Sequence, residues 1–172
     1  MDDETSIWFF QVVGGHEYRV IDFYSAHDRG LDHYVQHLRS KRYTYATAFL
    51  PHDIEVRELG TGRARIDVLT DLGVRDYHVG KALPVKDGID ATRLLLPMMW
   101  FDKTNCEAGL NALRSYHREY DDKKKKFKDQ PNHDWSSHAA DALRCFAVNF
   151  QEKVAPSKRR GNIEPRPGGW MR

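Results

Sequence analysis

Two β-rich runs joined by Gly14-Gly15 limit this chain's fold more than any other stretch. Residues 6–13 carry Ile7, Trp8, Phe9, Phe10, Val12 and Val13, and residues 18–24 alternate apolar with polar types. Aromatic and β-branched side chains suit a pleated, half-buried surface, and glycines supply the backbone freedom of a tight turn. The two runs predict an antiparallel β-hairpin, so any sheet built on it is mixed or antiparallel.

Helical and extended patterns alternate after the hairpin. Leu31, Tyr34, Val35 and Leu38 recur at helical spacing and predict an amphipathic helix ending near Ser40. Residues 45–50 read as a short buried strand, ended by Pro51, which has no N–H to give to a ladder. A helix over 64–72 stops at Gly73, and 74–79 reads as another strand. Helices are then predicted over 86–99, bent or ended by Pro97, over 104–120, and over 134–151, with a polar connector at 121–132. The expected class is α/β: a mixed sheet of four visible strands with helices on its faces.

At 172 residues the chain suits one domain with a sizeable core. No apolar run is long enough to span a membrane, and the charged amino end lacks signal-peptide form. Cys106 and Cys145 are two isolated cysteines without zinc or disulfide spacing, which fits a reducing cytoplasm. The net charge of +2 is uneven: residues 152–172 hold six basic against two acidic side chains, so the body is −2. The expected division is a domain at 1–151 and a basic, Pro- and Gly-rich disordered tail at 152–172. With an acidic body, nucleic-acid contact must come from local patches such as Lys123, Lys124, Lys125, Lys126 and Lys128, or from the tail. A run of lysines otherwise reads as a solvated connector.

Two stretches carry candidate chemistry. Asp53 falls just past the carboxyl end of the predicted strand, where open α/β sheets bind ligands. Its plain alternative is an Asp that caps a turn. Asp134, His138 and Asp141 are spaced so that they share one helix face, with Ser137, Ala139, Ala140 and Ala142 leaving room beside them. Asp134 also opens the helix and is a natural N-cap. Magnesium or manganese ions prefer carboxylate oxygens, and a pair of such ions stabilises attacking and leaving oxygens in phosphodiester cleavage. Asp53 and Asp141 are the expected ligands if strand end and helix converge. His52 and His138 stand beside these carboxylates as supporting residues, although a hydrogen-bonded structural role is the commoner one for a histidine.

Longer runs of the sequence resemble one family. Leu50-Pro51-His52-Asp53, Arg57-Glu58-Leu59-Gly60-Thr61-Gly62, Asp87-Gly88-Ile89 and the stretch from His133 to Arg144 look like the nuclease domain of the large terminase subunit of tailed bacteriophages. Asp3-Glu4-Thr5-Ser6-Ile7-Trp8-Phe9 is similar to the region near the start of that domain, so the likeness covers roughly residues 2–150 in order. It implies a ribonuclease H-like fold and a two-metal endonuclease using magnesium or manganese to cut concatemeric double-stranded DNA during packaging. It implies the metal ligands Asp53 and Asp141, with Asp3 and Asp134 as further candidates. The implied partners are double-stranded DNA, a terminase ATPase domain, the small terminase subunit and the portal protein, in the cytoplasm of a bacterial host.

The pattern departs from the family in two places. No G-x-x-x-x-G-K-[ST] loop is present in these 172 residues, and Gly60-Thr61-Gly62-Arg63 is no substitute for the one in the family's packaging ATPase. The family's first catalytic carboxylate ends a strand just before the element matched by Asp3, so that first strand is expected to be missing. The alternative function is then a non-catalytic, truncated nuclease-like module that binds DNA or packaging partners. A resolvase or transposase of the same fold shares the carboxylate logic but not the long matching runs.

Overall fold

The computed structural model describes residues 4–150 except residues 16, 58, 59 and 61. The predicted tail at 152–172, and Asp3, lie outside the described residues. The hairpin forms as expected and is longer at both ends: β1 (Glu4–Val13) pairs antiparallel with β2 (Glu17–His27). Gly14 and Gly15 turn the chain with φ of 59° and 78°. Those angles belong to the left-handed region, which glycine enters without steric cost. A bulge between Phe9 and Phe10 shifts the register midway along β1.

Helix α1 (Leu31–Ser40) follows, then β3 (Ala48–Leu50), a short 3-10 turn (His52–Glu55), α2 (Arg65–Asp71) and β4 (Tyr77–Val79). Strands β3 and β4 are each about half the predicted length. Tyr45, at the start of the predicted strand, and Tyr43 before it instead lay their rings 6.2 and 5.7 Å from Phe9. The predicted helix at 86–99 is divided: α3 (Val85–Leu95) passes into a 3-10 turn at Pro97 and then into β5 (Met99–Phe101). Proline lacks the N–H that would continue the ladder, so the chain leaves the helix there. Helix α4 (Glu107–Ser115) is shorter than predicted. The polar connector is a small hairpin of β6 (Tyr120–Asp121) and β7 (Lys126–Phe127), before α5 (Trp135–Asn149).

The fold is mixed α/β, but its strands do not form one sheet among the described residues. β5 adds parallel to β2, giving the order β1-β2-β5, while β3 and β4 make a separate parallel pair. Helix α5 lies over both. Its Phe146 stacks on Phe10 of β1 at 3.9 Å and meets Phe49 of β3 edge-on at 5.5 Å. The main core is built beneath it from Trp8, Tyr18, Val20, Met99, Cys106, Leu143 and Phe146. The Trp8 indole N–H donates to the Ala139 carbonyl at 2.8 Å, fixing β1 to α5. Gly109 lets α4 approach this core, since a Cβ there would stand 2.3 Å from the Trp8 ring. A second core of Val35, Ile54 and Leu69 joins α1, the 3-10 turn and α2.

Candidate functional site

Asp53 stands on the 3-10 turn that follows β3 and Pro51. Buried Ile54 anchors that turn in the second core, which leaves His52 and Asp53 facing outward. Asp53 lines a shallow depression with Val56, Arg57 and Arg65. The turn is a consequence of sequence: proline ends the strand, and Ile54 is the residue with apolar surface to bury.

Asp141 lies on the second turn of α5, with Leu143 on the opposite, core-facing side. Its carboxylate pairs with Arg144 at 2.9 Å, where the Asp141 side chain is 43% exposed and that of Arg144 is 21% exposed. Burial raises the Asp141 carboxyl above its ordinary value, against the opposing pull of Arg144, His133 and His138. Tyr116 lines the same cleft as Arg144, and burial raises its hydroxyl pKa, with Asp141 adding to the rise and Arg144 opposing it. The Asp53 charge reaches the same helix, because it helps burial push the Cys145 thiol up to about 11. Cys145 is one helical turn beyond Asp141. Asp53 and Asp141 are the two carboxylates expected to converge. They do not share a cavity: Asp141 lines a cleft with Tyr116, His133, Ser137 and Arg144, separate from the Asp53 depression.

Asp134 takes the capping role. Its carboxylate accepts from the Ser136 N–H at 2.9 Å, the Ser136 hydroxyl at 2.5 Å and the Asn132 amide at 3.0 Å. These bonds, that of the Ser136 hydroxyl foremost, hold its pKa below the usual value. Asp134→Ala is expected to cost about 1 kcal/mol in a urea titration at neutral pH. For a depressed carboxyl the contribution is present above the unfolded pKa of about 3.9 and fades as pH falls through the lower folded value. The wild-type and alanine curves should therefore converge in acid.

The two supporting histidines are placed differently. His138 faces His133 edge-on with ring centroids 5.5 Å apart, near Asp141, while His52 is exposed beside Asp53. Among the described residues, no three His, Cys, Asp or Glu side chains gather into a group able to hold a metal ion. Asp53 and Asp141, one of them paired with arginine, fall short of the several oxygens that a hard divalent ion requires. Another carboxylate, Asp22 on β2, is buried and was not singled out from sequence. Its oxygens are taken by Lys41 at 2.6 Å, the Tyr43 hydroxyl at 3.3 Å and the Phe23 N–H at 2.9 Å, which makes it a structural anchor.

Sequence reasoning missed Tyr116, His133 and Gly88 around Asp141. His133 stood next to the capping Asp134, and its 3.0 Å contact with Ser137 at i+4 was available from helical spacing. Tyr116 and Gly88 come from other helices and had no local signal. Comparison of the chain with protein-family models, curated proteins and solved structures finds no match. No described helix is long and apolar enough to cross a membrane.

Proposed function

We propose that the chain is a nuclease domain of the terminase large-subunit type, with a ribonuclease H-like fold, that acts on double-stranded DNA during viral genome packaging in a bacterial host. One observation carries this reading. Asp53 stands on the 3-10 turn just past the carboxyl end of β3, and the partly exposed Asp141 stands on α5, the helix that packs over β3 through Phe146. Carboxylates at strand ends occupy the usual ligand position of α/β sheets.

The separate sheets support the finer fold. β1 and β3 each have a single strand partner among the described residues, and Phe146 of α5 touches side chains of both. A further strand lying between them would unite the two sheets. An aspartate ending that strand would stand beside Asp53 and Asp141 and supply the carboxylate that a magnesium or manganese site lacks here. The lysine-tipped β6–β7 hairpin is the surface best suited to the DNA backbone. A packaging ATPase domain, a small subunit and a portal protein are the partners that this reading entails.

The test is nicking and linearisation of supercoiled plasmid in magnesium and in manganese. The chain alone is expected to cut weakly or not at all. A version extended at its amino end through an Asp-bearing strand is expected to linearise the plasmid, and Asp53→Ala and Asp141→Ala to abolish that cutting. Cleavage that survives both substitutions would sink the site assignment. The Asp141–Arg144 ion pair favours a second reading, a non-catalytic module that binds DNA. Its signature is duplex binding with no cutting by either version.

A further inference from the structure

The cleft beside Asp141 is a shaped space of about 170 Å³, opening where α5 meets the start of α3, the end of α4 and the loop after β7. That is well below the roughly 300 Å³ at which small-molecule pockets begin, so it suits a tetrahedral oxyanion better than a nucleoside. We propose that this cleft seats one phosphate of a DNA backbone and that Arg144 is its principal donor. The biological ligand rests on the DNA reading above, while the seat itself rests on the side chains.

Arg144 is held from two sides. Asp141 pairs with one end of the guanidinium at 2.9 Å, and Tyr116, at the end of α4, lines the cleft with it. Gly88 of α3 supplies the second side. A Cβ at that position would stand 2.3 Å from the Arg144 Cδ and 2.4 Å from Cγ, so only glycine lets α3 close over the side-chain stem. An ion pair on α5 and the close approach of α3 thus restrict an arginine that would otherwise sample many rotamers in solvent, which lowers the entropic cost of each bond that it makes.

A guanidinium carries five N–H groups in a rigid fork, more than the one carboxylate uses. The geometry of that fork matches phosphate oxygens. The rest of the lining includes the neutral amide side chain of Gln130 and the first residue of α3, Val85, with Asp141 as the opposing charge. Because Asp141 offsets Arg144, free phosphate should bind weakly, and the seat should work chiefly as one contact along a polyanion. Its position suits that role. Gln130 lies two residues past Lys128, on the connection that runs from the lysine-tipped hairpin into the cleft.

Two probes test the seat: inorganic phosphate, followed by the Arg144 Nε–H resonance, and a short DNA duplex, followed by anisotropy across a salt series. Phosphate is expected to shift that resonance at millimolar concentration. Arg144→Gln should weaken duplex binding about 10-fold and reduce the slope of log affinity against log salt by about 0.9, the amount for one phosphate contact. Gly88→Ala, which displaces the arginine stem while keeping its charge, should reproduce the affinity loss, with circular dichroism reporting that both variants fold. An unchanged slope and affinity in Arg144→Gln would overturn the seat while leaving duplex binding, and so the DNA reading, in place. A phosphate-shifted Arg144 resonance in a wild-type chain that binds no duplex would uphold the seat and overturn the DNA reading.

Discussion

Replacing Leu143 by alanine should lower the unfolding free energy by about 3 kcal/mol, within the usual span of about 2–5 for a buried leucine. Leu143 is 0% exposed and sits among Trp8, Val20, Cys106 and Phe146, where α5 closes over the hairpin sheet. The loss has two sources, the transfer free energy of the deleted carbons and the cavity that a rigid aromatic surround cannot fill. For a chain of this size each kcal/mol moves the melting temperature by about 2–4 °C, so a drop of roughly 6–12 °C is expected. Urea denaturation should show a lower midpoint with an unchanged m-value. Leu94, 75% exposed on α3, is the control, with an expected effect inside about 0.5 kcal/mol when truncated. A Leu143→Ala cost below that of a surface change would mean that α5 is not the keystone of the core. Asp141 rides on the same helix, so loosening this face should also loosen the candidate site.

The second large effect concerns the β6–β7 hairpin. Tyr120 pairs with Phe127 across the ladder, and their rings meet edge-on at 5.3 Å. Asp121 accepts from the backbone N–H groups of Lys123 and Lys124 at 3.0 and 3.1 Å, which ties the turn through the backbone, and the Lys124 ammonium adds a 4.0 Å ion pair to Asp121. The side chains of Lys123, Lys124, Lys125 and Lys126 are therefore carried on an ordered support instead of a loose connector. Changing all four to glutamine leaves the ladder and turn bonds intact. If each lysine neutralises one phosphate, the salt slope should fall by about 3.6. Between about 50 and 200 mM salt the wild-type chain should then lose roughly 100-fold more affinity than the variant. Anisotropy on a short duplex reads this directly, and equal slopes would remove the hairpin from the DNA interface.

The hairpin of β1 and β2 was legible because its signals are local: β-rich runs, a glycine pair and a two-residue period all agree. Helix α5 was legible for the same reason, with Asp134 as cap and Leu143 and Phe146 on one stripe. Strand β5 was hidden because Met99, Trp100 and Phe101 continue an apolar run that began as helix, and three residues are too few to show a period. β6 and β7 were masked by their lysines, since what fixes them is a cross-strand aromatic pair and an aspartate-tied turn. The break into two sheets was also illegible, because strand propensity names strands without naming their neighbours. For the site, spacing gave Asp141 its helix face and Pro51 gave Asp53 its strand end. The clamp on Arg144 was beyond reach, since Gly88 joins it only through the packing of α3 on α5.

The outer margin of β1 has a consequence for the chain's behaviour in concentrated solution. This ten-residue strand has no ladder partner on that side among the described residues, and it contains neither lysine nor proline. Natural sheets usually guard such margins with charge, proline or brevity, because a row of open N–H and C=O groups templates pairing with another chain. The segment Ile7-Trp8-Phe9-Phe10-Gln11-Val12 is strongly β-forming and uncharged, the composition from which cross-β assemblies grow. The chain therefore carries a seed for self-association. Pairing of that margin with another strand would remove the seed by satisfying its open N–H and C=O groups.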